Sequence, residues 1–199
     1  MSFREQRGPL RRRRSPRLAG YDYSQNGAYF VTITSFQRAC IFGEIFGEEM
    51  RLNDCGSIVC NSWHDIPEHH PQVVLDEFVV MPNHVHGVLL LLGDGPPGDA
   101  GVAPTVRDGL QGNVGVAPTA RRQPSGPSSG SLGAVIGSFK SAVTRGINRV
   151  RGSPGVSVWQ RNYHDRIIRD EDELLRIRTY IRENPLRWAL DPENPDRSS

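Results

Sequence analysis

The sequence predicts an α+β domain built on a four-stranded antiparallel sheet. Three observations predict it. Short runs of Val, Ile, Leu and aromatic residues, bounded by turn residues, read as strands. Longer stretches repeat their apolar residues at i, i+3, i+4 and i+7, the helical period. These segments come in the order strand, helix, strand, strand, helix, strand, followed by one further helix. A βαββαβ core folds as the ferredoxin-like arrangement, with its two helices on one face of the sheet. The other face is left open for an extra helix or a nucleic acid. At 199 residues the chain suits a single domain with tails.

Residues 1–20 form a basic arm. Arg4, Arg7, Arg11, Arg12, Arg13, Arg14 and Arg17 lie among Pro9 and Pro16 with almost nothing apolar. Such a block cannot bury a core and stays disordered until it meets a polyanion; a merely solvated tail has the same composition. Residues 21–192 read as the domain, and 193–199 as a tail. In Ala28–Phe36, AYFVTITSF, alternation predicts a strand with Tyr29, Val31 and Ile33 on one side and Phe30, Thr32 and Thr34 on the other. Asn53 or Asp54 can cap a helix that runs to about Ile66 and stops at Pro67. Ile58, Val59, Trp63 and Ile66 make its apolar face, while His64, His69 and His70 fall at or beyond its end, in solvent-exposed positions.

Val73–Val80 and Val88–Leu92 predict two buried strands around the turn-rich centre Pro82-Asn83-His84-Val85-His86-Gly87. Residues 93–130 are dominated by Gly, Pro, Ser and Ala and repeat GVAPT at 101–105 and 115–119. That offset is too short and too polar to pack, so the stretch reads as a flexible surface insertion. From Ser131, the stripe Leu132, Val135, Ile136, Phe139, Val143 and Ile147 predicts a helix ended by Gly152-Ser153-Pro154-Gly155. Lys140 and Arg145 on its polar side are candidate DNA contacts. Val156–Arg169 predicts the last strand, and Asp170–Asn184 a helix with acidic residues in its first turn, Pro185 just past its end and Leu174, Ile177 and Ile181 as its buried stripe.

Chemistry concentrates at two places. His84 and His86 are two apart on a strand, so their imidazoles share one face while Val85 points into the opposite layer. Two such imidazoles can bind a divalent metal, although two ligands alone do not make a site. On the last helix Tyr180 and Asn184 are four apart and share a face offset from the buried stripe. An Asn oxygen beside two imidazoles can hold a divalent cation with positions left open for a phosphodiester oxygen. A tyrosine one turn away could then attack that phosphate. Its phenol titrates at about 10 and needs a nearby cation or base. Tyr163, next to His164, is a rival nucleophile; as a strand residue it is read as structural.

The segments MPNHVHGVLLL, SFKSAV, VWQRNYHDRIIR and TYIRENPLRWAL, in that order, resemble the REP-associated tyrosine transposases, single-tyrosine relatives of the HUH endonucleases. The resemblance covers nearly all of residues 20–192 outside the insertion. It implies that His84 and His86 are the metal-binding pair, Tyr180 the nucleophile and Asn184 the residue completing the metal site. It further implies cleavage of single-stranded DNA to a 5′-phosphotyrosine and a free 3′-OH, with Mg²⁺ or Mn²⁺, on short hairpins of repetitive extragenic palindromes. Histidine ligands suit Mn²⁺ better than Mg²⁺, though cellular supply favours Mg²⁺.

Composition fits a DNA partner without requiring it. Net charge is only +2, but Lys140 is the only lysine, so the other 23 of the 24 basic residues are arginines, suited to bidentate phosphate contacts. Genomic base composition produces the same bias. Cys40, Cys55 and Cys60 lack CxxC spacing and read as free thiols in a reducing compartment, hence the cytoplasm. No apolar run approaches the ~18 residues of a membrane span, and no apolar segment follows the arginine-rich N-terminus as it would in a secretory signal. A monomer and a homodimer both fit. Two other classes remain open at this stage: a non-catalytic nucleic-acid-binding domain of the same fold, and a metal phosphoesterase that uses water, with Tyr180 structural.

Overall fold

The computed structural model describes residues 26–92, 127 and 130–195. The basic arm with Arg11 to Arg14, almost all of the 93–130 insertion and the last four residues lie outside the described residues. Among the described residues six strands and four α-helices follow in order: β1 Gly27–Thr34, β2 Gly43–Phe46, β3 Glu49–Leu52, α1 Asp54–His64, α2 Ile66–His69, β4 Val73–Val80, β5 His84–Leu91, α3 Leu132–Arg151, β6 His164–Ile168 and α4 Glu171–Glu183. The main sheet has the order β4-β5-β1-β6, and every neighbouring pair is antiparallel. This is the ferredoxin-like βαββαβ arrangement with an added C-terminal helix.

Alternation along β1 and β5 divides the molecule into two layers. Tyr29, Val31, Ile33, Val85 and Leu89 join α1 and α3 in the main core, which also buries Trp63, Ile136, Phe139 and Ile147. Val88, Ile168, Ile177 and Ile181 form a smaller cluster with Phe30, Val79 and Leu90 packed against it, on the face covered by α4. The extra helix expected on the second face of the sheet is thus α4. Gly87 falls on the main-core side of β5, where a Cβ would collide with the Trp63 indole ring. Only glycine leaves room for the ring against the strand.

Local capping explains the helix limits. Asn53 caps α1 by accepting from the Gly56 amide, and Ser131 caps α3 by accepting from the Ala134 amide. Gly152, at φ 61°, ends α3 in the left-handed conformation that glycine adopts without strain. At α4 the Asp170 carboxylate accepts from the Glu173 amide while Glu173 accepts from the Arg169 amide, a reciprocal cap that pins the start of the helix.

Two expectations need correction, and one element was not foreseen. Pro67 does not stop α1; the chain turns at Asp65, and Pro67 sits in the first turn of α2, where its missing N–H costs nothing. The predicted strand over Val156–Arg169 is confined to His164–Ile168, because Gly152–Gly155 delivers the chain beside α3 first; Trp159 makes only an isolated bridge to Ser35. The hairpin β2–β3 was not predicted. Its strands are four residues each and half-exposed, too short to show alternation, and Gly47 at φ 65° in the turn is its one signal.

Candidate active site

β5 begins on the first histidine, so the second strand, expected over Val88–Leu92, extends back through the centre read as turn-rich. His84 and His86 are 0% and 4% exposed and point away from the main core towards α4, while Val85 between them is fully buried on the other side. Their Nε2 atoms are 3.0 Å apart. Each Nδ1 has a partner of its own: Asn83 Oδ1 at 2.8 Å for His84, and Thr32 Oγ1, directly opposite in the β1–β5 ladder, at 2.8 Å for His86.

The network assigns the His84 tautomer. The Asn83 amide nitrogen donates to the Arg38 carbonyl at 3.0 Å and to the Glu193 carbonyl at 2.6 Å, so its oxygen is left to accept. His84 Nδ1 therefore carries the hydrogen, and Nε2 presents its lone pair to the centre. The Arg38 carbonyl is offered by a strained bend, in which Gln37 and Arg38 both have positive φ, 56° and 58°.

α4 and the turn after it complete the site. The Tyr180 hydroxyl lies 3.3 Å from His86 Nε2. Phe30 walls the space between them, stacked on His86 at 5.4 Å and edge-on to Tyr180 at 6.1 Å between ring centres. Asn184 is 2% exposed, and its Oδ1 has no hydrogen-bond partner among the described residues. The 3-10 turn Pro185–Leu190 then carries the chain back over the histidines, with Trp188 beside His84, and sets Asp191 Oδ2 3.8 Å from His84 Nε2. Ligand atoms of His84, His86 and Asp191 all lie within 4.8 Å of one another, and all three residues are buried.

Burial sets the protonation states. It lowers His84 to about 4, against a smaller upward pull from the Asp191 carboxylate. His86 is pushed well below the ordinary imidazole value, by burial first and then by His84. Burial also raises the Tyr180 phenol, helped by Asp191 and Glu193 and opposed by a hydrogen bond from the Asn184 side chain. Two neutral imidazoles, a carboxylate and an orphaned amide oxygen are a donor set that fits a divalent cation.

Sequence reasoning placed His84, His86 and Tyr180 in one site, and the structure brings them together with Asn184 next to Tyr180. It missed Asp191. Nothing in DPENPD marks that aspartate, because the turn that returns it to β5 depends on packing rather than on spacing. Tyr163 packs against the main core, on the α1–α3 side of the sheet, and His164 is exposed. His64 and His69 are exposed as expected, whereas His70 is half-buried. Lys140 is half-buried and donates to the carbonyls of Gln160 at 2.6 Å and Arg161 at 3.2 Å; burial lowers it to about 8. Arg145 is exposed on α3. Cys40, Cys55 and Cys60 are not joined in a disulfide among the described residues. Among the described residues no helix is long and apolar enough to cross a membrane.

No family model matches the chain. An uncharacterized protein of Haemophilus influenzae Rd is 37% identical over 182 residues, covering 92% of this chain and 93% of that one. Among solved structures, a REP-associated tyrosine transposase bound to a REP hairpin is similar over 85% of this chain and 74% of its own, with a TM-score of 0.51 at 14% identity. A provisionally named transposase of Deinococcus radiodurans R1 aligns over 83% of this chain and 95% of its own at 15% identity, with a TM-score of 0.42, too distant to bear on the fold. The chain belongs to one family with the Haemophilus influenzae protein, and its fold is that of the REP-associated tyrosine transposases, which its motifs resemble.

Proposed function

We propose that this protein is a metal-dependent, single-strand DNA endonuclease and strand transferase that works through a 5′-phosphotyrosine. One observation carries the reading: the Tyr180 hydroxyl stands 3.3 Å from His86 Nε2, at the rim of a buried pair of neutral imidazoles. A core tyrosine has no need of such neighbours. Tyr180 is also 39% exposed, so a strand can reach it from solvent.

His84, His86 and Asp191 would hold the cation, Mg²⁺ or Mn²⁺, with Asn184 Oδ1 as a further candidate ligand. A cation there supplies Lewis-acid polarisation of the scissile phosphate. Tyr180 does the covalent work. Its oxygen forms a bond to phosphorus, the P–O3′ bond breaks, the phenolic proton leaves to solvent and the 3′ oxygen takes one up, so no proton is gained or lost overall. Rejoining runs the same step backwards with another 3′-OH. Asn184, by donating to the Tyr180 oxygen, stabilises the phenolate that burial otherwise disfavours.

The similar solved structure carries a REP hairpin, which supports hairpin DNA as substrate. Arg145, with Arg149 and Arg161, lines a groove of about 920 Å³ between α3 and residues 154–161. Among the described residues no acidic side chain lines it. It offers a phosphate track on the side of the sheet away from the histidines. Lys140 supports that track by tying down the carbonyls of its far wall. Arg11 to Arg14 add phosphate contacts from the arm.

The test is a labelled hairpin with a single-stranded flank, incubated with Mn²⁺ or Mg²⁺ and run on a denaturing gel. The protein shifts the labelled strand covalently, chelator abolishes the shift, and Tyr180→Phe loses it while still binding the hairpin; Tyr163→Phe keeps it. The raised phenol favours one rival, a phosphoesterase using water, which would give cut DNA without an adduct in both wild type and Tyr180→Phe. Full cleavage in chelator would remove the histidines from the chemistry.

A further inference from the structure

β4 carries a bulge whose two residues face the helix that bears the nucleophile. Leu75 pairs with Leu89 and Phe78 with Gly87, so Asp76 and Glu77 together stand opposite Val88 alone. In an unbroken strand Glu77 would share the Leu75 side, towards the main core. The extra residue instead lets two adjacent carboxylates reach α4. Arg178 grips Asp76 with both arms of its guanidinium, Nε at 2.8 Å and Nη2 at 2.6 Å. Arg182, one turn on, meets Glu77 at 3.2 Å. The Asp76 and Arg178 side chains are 15% and 28% exposed, so the pair is sheltered rather than a solvated surface contact. The Glu77 amide also donates to Asp76 Oδ1 at 2.7 Å, which holds the carboxylate in line.

Their place around the helix matters more than their strength. At about 100° per residue, Arg178 and Arg182 project from one flank of α4, Ile177 and Ile181 point down into the sheet, and Tyr180 projects from the other flank. The apolar contact beneath is made of aliphatic side chains and is non-directional. It holds α4 down without fixing its roll. A roll of ~10° displaces a side-chain tip on a helix ~5–6 Å in radius by ~1 Å. Misplacement by ~1 Å can cost a reaction ~10²-fold.

We propose that Asp76 and Arg178, seconded by Glu77 and Arg182, are positioning residues that set the roll of α4 and so hold the Tyr180 hydroxyl at the histidine pair. The catalytic consequence rests on the function proposed above; the geometric one does not.

Arg178→Met, Arg178→Lys and the charge exchange Asp76→Arg/Arg178→Asp separate the two. The readouts are the rate of adduct formation at saturating hairpin DNA, Mn²⁺ affinity by calorimetry, and the ¹³C ring resonance of Tyr180 in ¹³C-tyrosine-labelled protein, assigned with Tyr180→Phe. Arg178→Met is expected to lower the rate ~10–100-fold with Mn²⁺ and hairpin affinity unchanged, and to shift the Tyr180 resonance. Arg178→Lys keeps the charge but loses the two-pronged grip, and falls in between. The exchanged pair recovers part of the rate and returns the resonance towards wild type. If Arg178→Met or Arg178→Lys leaves both rate and resonance at wild-type values, the proposal is wrong. A wild-type protein that forms no adduct would overturn the functional reading instead, and the Tyr180 resonance would still decide the role of the pair.

Discussion

Asn83 shows how one side chain prepares a chemical group. Its amide is committed at both ends, to Arg38 and Glu193 through nitrogen and to His84 through oxygen, so the imidazole has one tautomer and one orientation. Burial then keeps that imidazole neutral. His84 titrates at about 4 in the fold and near 6.5 when the chain is unfolded. The unfolded chain therefore takes up the proton first as pH falls. Stability from this group is complete above pH 6.5 and is lost progressively as pH drops towards 4. Urea unfolding of chelator-treated protein should show the midpoint falling across that window, and His84→Gln should flatten the fall. A wild-type midpoint that stays constant from pH 6.5 to 4 would contradict the burial argument. The histidines were legible in the sequence because period-two geometry is local. Asn83 read only as a turn residue, since its three partners come from residues 38, 84 and 193.

Strand β5 serves both layers, and its two faces have separable consequences. Val85 fills the main core, and Val85→Ala should cost ~1–3 kcal/mol as a cavity while leaving chemistry intact in the folded fraction. Gly87→Ala forces a methyl against Trp63 and should cost a similar ~1–3 kcal/mol by overpacking. Thermal melts of the metal-free proteins measure both. If Gly87→Ala melts like wild type, the indole has more room than the structure gives it. Residues of strong period, β1, β5, α3 and α4, were readable element by element. The short hairpin β2–β3 and the irregular path over 156–163 were not, because they take their shape from what they pack against. The bulge in β4 was equally hidden: DE within an apolar run looks like a polar lapse until Arg178 and Arg182 are seen across from it.

The positive charge of the whole molecule is carried almost wholly by arginines, seven of them within residues 1–20. Deleting residues 1–17 should weaken hairpin binding and flatten its dependence on salt, by a slope of roughly one for each phosphate that the arm had neutralised. Deleting 97–128 should change neither; fluorescence anisotropy between 50 and 200 mM salt, roughly the range over which such charge pairing is felt, is the measurement. An insertion deletion that abolishes binding would reassign the surface. At this scale the fold class followed from element order alone, whereas the return of Asp191 to β5 did not, since no local rule links residue 191 to residue 84. That return has a consequence for how the protein is made. The site joins Thr32 to His86 across 54 residues, His86 to Tyr180 across 94 and Asn83 to Glu193 across 110. A nascent chain can pair β4 with β5 and set the two histidines side by side long before α4 exists. Tyrosine and carboxylate join them only after residues 180 to 193 have been made, so under the proposed function a chain cut short before Tyr180 would hold the histidine pair without the groups that complete the site.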